Sequence, residues 1–174
     1  MAAVFVTGCA TGIGAASVRK FAANGFDVAV FDINAQAVAD LAQEGHSGSI
    51  TYFDTDVGQR SAVRQSVAAA AEQVGAPTTL FVNAGIQKLA GIFELEDEDI
   101  DAMIDINLKG VLYTVAEAAA LMRDAGNGGT IVLMASDQAL IGKEGSIVYG
   151  ATKGAVAQIA KSLSMALVEY GIRV

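Results

Sequence analysis

Short β-branched runs alternate with longer stretches of helical period along this chain. AVFVT (3–7), DVAVFD (27–32), SITYFDT (49–55), TTLFVN (78–83) and TIVLMAS (130–136) read as strands. Each is rich in Val, Ile, Thr or Phe and is bounded by turn-forming residues. Between them the pattern predicts helices over about 13–24, 34–43 and 59–74, then from Asp97 to about Arg123, and last from about Tyr149 to Glu169. Gly25, Gly75 with Pro77, and GNGG (126–129) supply the stops. Asn34 suits an N-cap. The carboxylates between Asp97 and Asp101 crowd a first turn, where the helix dipole favours them and where they serve capping and solubility. GIRV (171–174) starts a sixth strand.

Strands spaced by helices of this length require right-handed crossovers and a parallel sheet. Strands that are apolar with little alternation fit a sheet covered on both faces. The expected fold is α/β, a doubly wound, Rossmann-like parallel sheet. Its strand order should be 3-2-1-4-5 plus the start of strand 6, in one domain over residues 1–174.

Composition narrows the chemistry. Hydrophobic residues make up 53% of the chain and charged residues 17%, so a packed core is expected. A net charge of −8 disfavours nucleic-acid binding. Cys9 is the single cysteine, which excludes an internal disulfide and fits a reducing, cytoplasmic setting. Within a Gly-rich turn, its simplest role is a small buried filler. His46 is the single histidine; it excludes a multi-His metal site, and in a polar loop it should be solvated. Residues 1–18 carry no charge but lack a basic n-region, and Gly8, Gly12 and Gly14 interrupt the run, so an export leader is not expected. No run of about 18 apolar residues predicts a membrane span.

Three groups of residues carry chemistry. TGCATGIG (7–14) lies between a strand and a helix. Glycines there let the backbone approach a pyrophosphate, and the helix N-terminus offers free N–H groups. Asp32 follows Gly14 by 18 residues at the end of strand two. That is close to the offset of a ribose-binding acid. A carboxylate there repels a 2′-phosphate, and neither Ile33 nor Asn34 reverses the sign. Tyr149 and Lys153 stand at i and i+4 on one helix face, where an ammonium favours a phenolate. Ser136, at the end of strand five, is placed to hold a substrate oxygen. Gln87, Gln138 and Lys143 follow strands four and five, where a substrate contact is expected.

Taken together, these residues resemble the short-chain dehydrogenase/reductase family over the whole chain. TGCATGIG is similar to its TGxxxGxG turn, and VNAG (82–85) to its NNAG stretch with Val82 in place of the first Asn. Ser136 and Tyr149-Gly-Ala-Thr-Lys153, 13 residues apart, match its active-site pattern, and Asn107 in INLKG matches its fourth catalytic position. The resemblance implies an NAD-dependent dehydrogenase (NADP less so) acting on a secondary alcohol or ketone. By the same resemblance Gly8, Thr11, Gly12, Ile13, Gly14, Asp32, Ile33, Asp56, Val57, Asn83, Ala84 and Gly85 would hold the cofactor with Tyr149 and Lys153. Tyr149 would move the proton, Lys153 would bind the nicotinamide ribose, and Ser136 would orient the substrate oxygen. Asn107 would hold a water at a local helix irregularity. Gln87, Gln138 and Lys143 favour a polyol, sugar acid or hydroxy acid.

Two alternatives stand beside this reading: a non-catalytic dinucleotide-binding or sensor module, and an inactive fragment. The resemblance also implies a substrate-covering segment beyond Val174, so strand five should lack a neighbour and leave its edge open. The two long C-terminal helices are apolar around most of their circumference and predict a homodimer or homotetramer built on them.

Overall fold

In the computed structural model, which describes residues 2–174, β1 (Ala3–Thr7) runs through the middle of a parallel sheet. Around it lie β2 (Asp27–Asp32), β3 (Ile50–Asp54), β4 (Pro77–Val82), β5 (Gly129–Leu133) and β6 (Ile172–Arg173), in the order β3-β2-β1-β4-β5-β6. Met1 lies outside the described residues. The chain winds outward from β1 to β3, crosses back, and continues from β4 to β6. The order therefore reverses between β1 and β4, which is where open α/β sheets leave a crevice.

The near-absence of alternation in the strands has a direct cause. Val4, Val6, Val28 and Val30 pack on one face against α1 (Gly12–Ala23) and α2 (Ala35–Ala42) through Ala15, Val18, Val38 and Leu41. Phe5, Ala29 and Phe31 point to the other face, towards α3 (Arg60–Val74) and α5 (Gly110–Ala125). The rings of Phe5, Phe31 and Phe53 form a row across three strands, with centroids 5.4 and 5.5 Å apart. Each such buried side chain contributes about 1.5–3 kcal/mol. The exposed ion pairs, Arg19–Glu44 and Lys109–Asp105 among them, contribute about 0–1 kcal/mol each. The core, not the surface charge, holds the sheet. Asn34 caps α2 as expected, its side chain accepting from the Ala37 amide at 3.1 Å.

Four local expectations need correction, and a fifth is made specific. The helix read from Asp97 to Arg123 carries the irregularity that the resemblance implied at Asn107: α4 (Asp97–Ile104) passes through a π-helical turn at Asp105–Lys109 into α5. The wider turn directs Asn107 inward, where it is fully buried. β5 stops at Leu133, so Ser136 stands on the loop beyond the strand. β5 also has a neighbour, because Ile172 and Arg173 pair with Gly129 and Thr130. His46 is half-buried, its Nε2 lying 3.1 Å from the Leu41 carbonyl, where it joins the end of α2 to the following loop. The last helix, α6 (Ile147–Leu167), begins two residues before Tyr149. Among the described residues no helix is long and apolar enough to cross a membrane.

Candidate active site

At the crevice between β1 and β4 the strand ends open into a groove of about 500 Å³. Gly8, Thr11, Gly12, Ile13, Asp32, Ile33, Asp56, Val57, Asn83, Ala84 and Gly85 all line it. Gly14 does not; it lies behind the turn, buried at the start of α1. Ala10, Phe31, Asn34, Thr55, Ile86 and Ile106 also line the groove and have no motif signal of their own.

Backbone conformation builds the Gly-rich turn. Gly8 and Gly12 have φ of +64° and +55°, a region that side chains disfavour. A Cβ on Gly8 would stand 2.7 Å from the Ala84 amide nitrogen. One on Gly14 would overlap the Gly8 carbonyl oxygen and stand 2.8 Å from Asn83 Nδ2. The turn is fastened to β4 by two side chains. Asn83 Nδ2 donates to the Gly8 carbonyl at 2.7 Å. Thr7 Oγ1 accepts from the Asn83 and Ala84 amides at 3.1 and 3.2 Å. Thr7 is the first letter of the motif, yet its role as a fastener is visible only in three dimensions.

The groove fits a dinucleotide. Thr11 enters α1 without a side-chain cap, so the first-turn N–H groups are open to an anion. Nothing lies within 4 Å of where a Gly12 Cβ would be. Asp32 accepts from the Ala10 amide at 2.8 Å and from the Asn34 amide at 3.0 Å. That fixes its carboxylate at the mouth of the turn. Asp56 Oδ1 accepts from the Gly58 amide at 2.9 Å. The lining therefore carries two carboxylates and no lysine or arginine. Cys9 is fully buried beneath the turn. Burial, reinforced by the charge of Asp32, pushes its thiol up to about 12, so it is no nucleophile near neutral pH.

Tyr149 and Lys153 stand on α6 and do not line the groove itself. Lys153 Nζ is 5.7 Å from the centre of the Tyr149 ring and 3.4 Å from where a Gly85 Cβ would be. It donates to the Met134 carbonyl at 2.7 Å. Burial holds its ammonium below the ordinary lysine range. The Asn107 amide clamps Ile86 from both sides: Oδ1 accepts from its N–H and Nδ2 donates to its C=O, both at 2.8 Å. Nδ2 also donates to Thr152 Oγ1 at 3.3 Å, and that hydroxyl donates to the Tyr149 carbonyl at 2.8 Å. A polar chain thus runs from the groove wall through Asn107 and Thr152 to the helix that carries Tyr149. Thr152 was legible in the sequence only as a neighbour of Lys153.

Ser136 Oγ donates to Asp137 Oδ1 at 2.9 Å and accepts from the Gln138 amide at 3.2 Å. Gln138 and Lys143 line a second recess of about 390 Å³, with Leu140, Ile141, Ser146 and Ile147 among its other walls. Gln138 Oε1 is buried and has no hydrogen-bond partner among the described residues. Gln87 is not in that lining; its Nε2 donates to Ser146 Oγ at 3.0 Å.

Known proteins resemble the chain in sequence and fold. The chain is 34% identical over 171 residues to the D-threitol dehydrogenase of Mycolicibacterium smegmatis, covering 97% of this chain and 65% of that protein. It is equally identical, 34% over 171 residues, to the galactitol 2-dehydrogenase of Agrobacterium fabrum, covering 97% of this chain and 66% of that one. The chain therefore spans about two thirds of the length of these relatives. Carveol dehydrogenase from Mycobacterium avium, solved in complex with NAD, superposes with a TM-score of 0.95 at 26% identity, covering 99% of this chain and 68% of that one. With the short chain dehydrogenase model matching residues 2–174, and with sheet order, Gly-rich turn and Tyr149–Lys153 pair in the same chain, the protein belongs to the short-chain dehydrogenase family.

Proposed function

We propose that this chain forms the cofactor-binding and catalytic part of an oxidoreductase in which NAD, when bound, accepts a hydride from a secondary alcohol or returns one to the ketone. The observation that carries the reading is the Lys153 ammonium, 5.7 Å from the centre of the Tyr149 ring and 3.4 Å from where a Cβ would stand on Gly85, which lines the groove. Tyr149 takes the proton from the substrate hydroxyl, or gives it to the carbonyl oxygen. Lys153 keeps two N–H groups beyond its bond to Met134, enough to hold a ribose hydroxyl and face the phenol. Ser136, turning its hydroxyl away from Asp137, orients the substrate oxygen. Asn107 and Thr152 keep α6 in register with the groove wall.

NAD is preferred over NADP because Asp32 and Asp56 leave the groove negative, with no cation to receive a 2′-phosphate. The substrate is a polyol or a related hydroxy acid. The activities named for the two relatives support this, as do Gln138 and Lys143 beside Ser146 in the second recess. Assembly runs through α5 and α6, where Leu112 and Met165 lie 44% and 78% exposed on single-chain surfaces. Light scattering tests this part: a dimer or tetramer is expected, and a monomer overturns it. The activity is tested by turnover with NAD across a panel of linear polyols and sugar acids. NAD-dependent oxidation of at least one polyol supports the reading. Cofactor binding without turnover of any alcohol overturns it in favour of a sensor.

A further inference from the structure

The loop that follows β4 touches both halves of the site. Asn83, Ala84, Gly85 and Ile86 line the groove, and Asn107 grips Ile86 on both its backbone groups. The next residue, Gln87, reaches the start of α6, where its Nε2 donates to Ser146 Oγ at 3.0 Å. The Ala90 amide donates to the Gly145 carbonyl at 2.8 Å, and Ala90 and Ser146 form an isolated parallel bridge. Ser146 is buried, with 3% of its surface exposed. It occupies the N-cap position of α6, yet its hydroxyl makes no capping bond, because Gln87 engages it instead. Its carbonyl accepts from the Gly150 amide at 2.9 Å, which closes the helical turn holding Tyr149.

We propose that Gln87 is a positioning residue: it ties the loop lining the cofactor groove to the first turn of α6 through Ser146, and so sets where the Tyr149 phenol stands. This rests on the reading of Tyr149 as the general acid/base. Its physical basis is the cost of misplacement. An unfastened first turn frays, and a reacting group displaced by about 1 Å can lose up to about 10²-fold in rate. A buried hydroxyl left without its partner adds to the pressure on the turn to shift.

The test compares Gln87→Ala, Gln87→Glu, Ser146→Ala and the Gln87→Ala/Ser146→Ala pair with the unaltered protein. The measurements are kcat, KM for alcohol, NAD affinity and amide hydrogen exchange over residues 146–153. Gln87→Ala is expected to lower kcat about tenfold. Both the alcohol KM and the NAD affinity should stay within about twofold, and exchange in the first turn of α6 should quicken. Ser146→Ala should match it in kcat and in exchange, and the double variant should be no worse in kcat than either, because both remove one tie. Gln87→Glu, which can accept from the Ser146 hydroxyl, should restore most of the rate. A raised alcohol KM at unchanged kcat would make Gln87 a substrate contact and overturn the proposal, as would additive losses or unchanged exchange. Failure of the underlying reading shows separately, as normal turnover by Tyr149→Phe with exchange in the Gln87 variants still altered.

Discussion

The groove and the recess beside it are built in opposite ways. In the groove the turn and its acid are fastened before any ligand arrives, and the first-turn N–H groups of α1 are left open. Thr7 and Asn83 fasten the Gly-rich turn, and two backbone amides hold Asp32. Its shape comes from backbone held at close quarters, with glycines where a side chain would collide. The recess is walled by a loop between β5 and α6. Leu140 and Ile141 stand largely exposed there, and Gln138 has a buried oxygen without a partner among the described residues. A preorganised site fixes what it binds through geometry, whereas a loop-built site leaves the choice to side chains. The lesson is a division of labour: one half is fixed by its backbone, and the other is left to side chains on a loop.

The largest effect expected is at Tyr149, on α6 beside Lys153. Tyr149→Phe should reduce turnover by about 10²–10⁴-fold, the usual cost of a lost acid/base. NAD affinity should change by less than about twofold, because the aromatic ring remains. Steady-state kinetics and calorimetric binding check both arms, and near-normal turnover would remove Tyr149 from the proposed role.

Next is a paired glycine experiment that sets one half against the other. Gly14→Ala adds a methyl group that overlaps the Gly8 carbonyl, so despite better helix propensity it should cost about 1–3 kcal/mol and weaken NAD binding at least tenfold. Gly142→Ala, in the recess loop, meets nothing within 4 Å and should stay within about 0.5 kcal/mol. Denaturant melts of both variants decide it. Equal effects would erase the contrast between a rigid groove and a tolerant loop.

Asp32→Ala tests the sign of the groove. NAD affinity should fall about tenfold with the loss of a charged hydrogen-bond acceptor, while NADP affinity should fall less or rise. The ratio of the two Kd values is the readout, and an unchanged ratio would mean that Asp32 serves only to hold the Ala10 amide. The smallest effect concerns Cys9. With its pKa pushed up to about 12 and its side chain buried, the thiol stays protonated at pH 8. Native protein should therefore resist alkylation by iodoacetamide there, and unfolded protein should react fully, as mass spectrometry would register.

Much of this was written in the order of residues. Five apolar runs, four of them bounded by glycine or proline, specified parallel strands, because strands buried on both faces need no alternation. The spacing from TGCATGIG to Asp32 placed that acid at a strand end, and the spacing from Tyr149 to Lys153 placed both on one helix, while Ser136 fell on the loop past its strand. Those are local matters of period, propensity and offset, which one sequence carries.

Tertiary structure decided what depends on contact between distant segments. The π-helical turn that buries Asn107 was signalled only as an irregularity by the INLKG resemblance, not by period or propensity. It exists because Ile86, 21 residues away, offers both its backbone groups to that amide. Thr7 and Thr152 became fasteners only when β4 and the π-helical turn came within hydrogen-bond reach. Gln87 read as a substrate contact from its place after strand four, yet the fold sets it against Ser146, 59 residues on. Period and propensity act over a few residues and are legible in sequence. Hydrogen-bond partners across the sheet are chosen by packing, and packing is settled only when the whole core has formed.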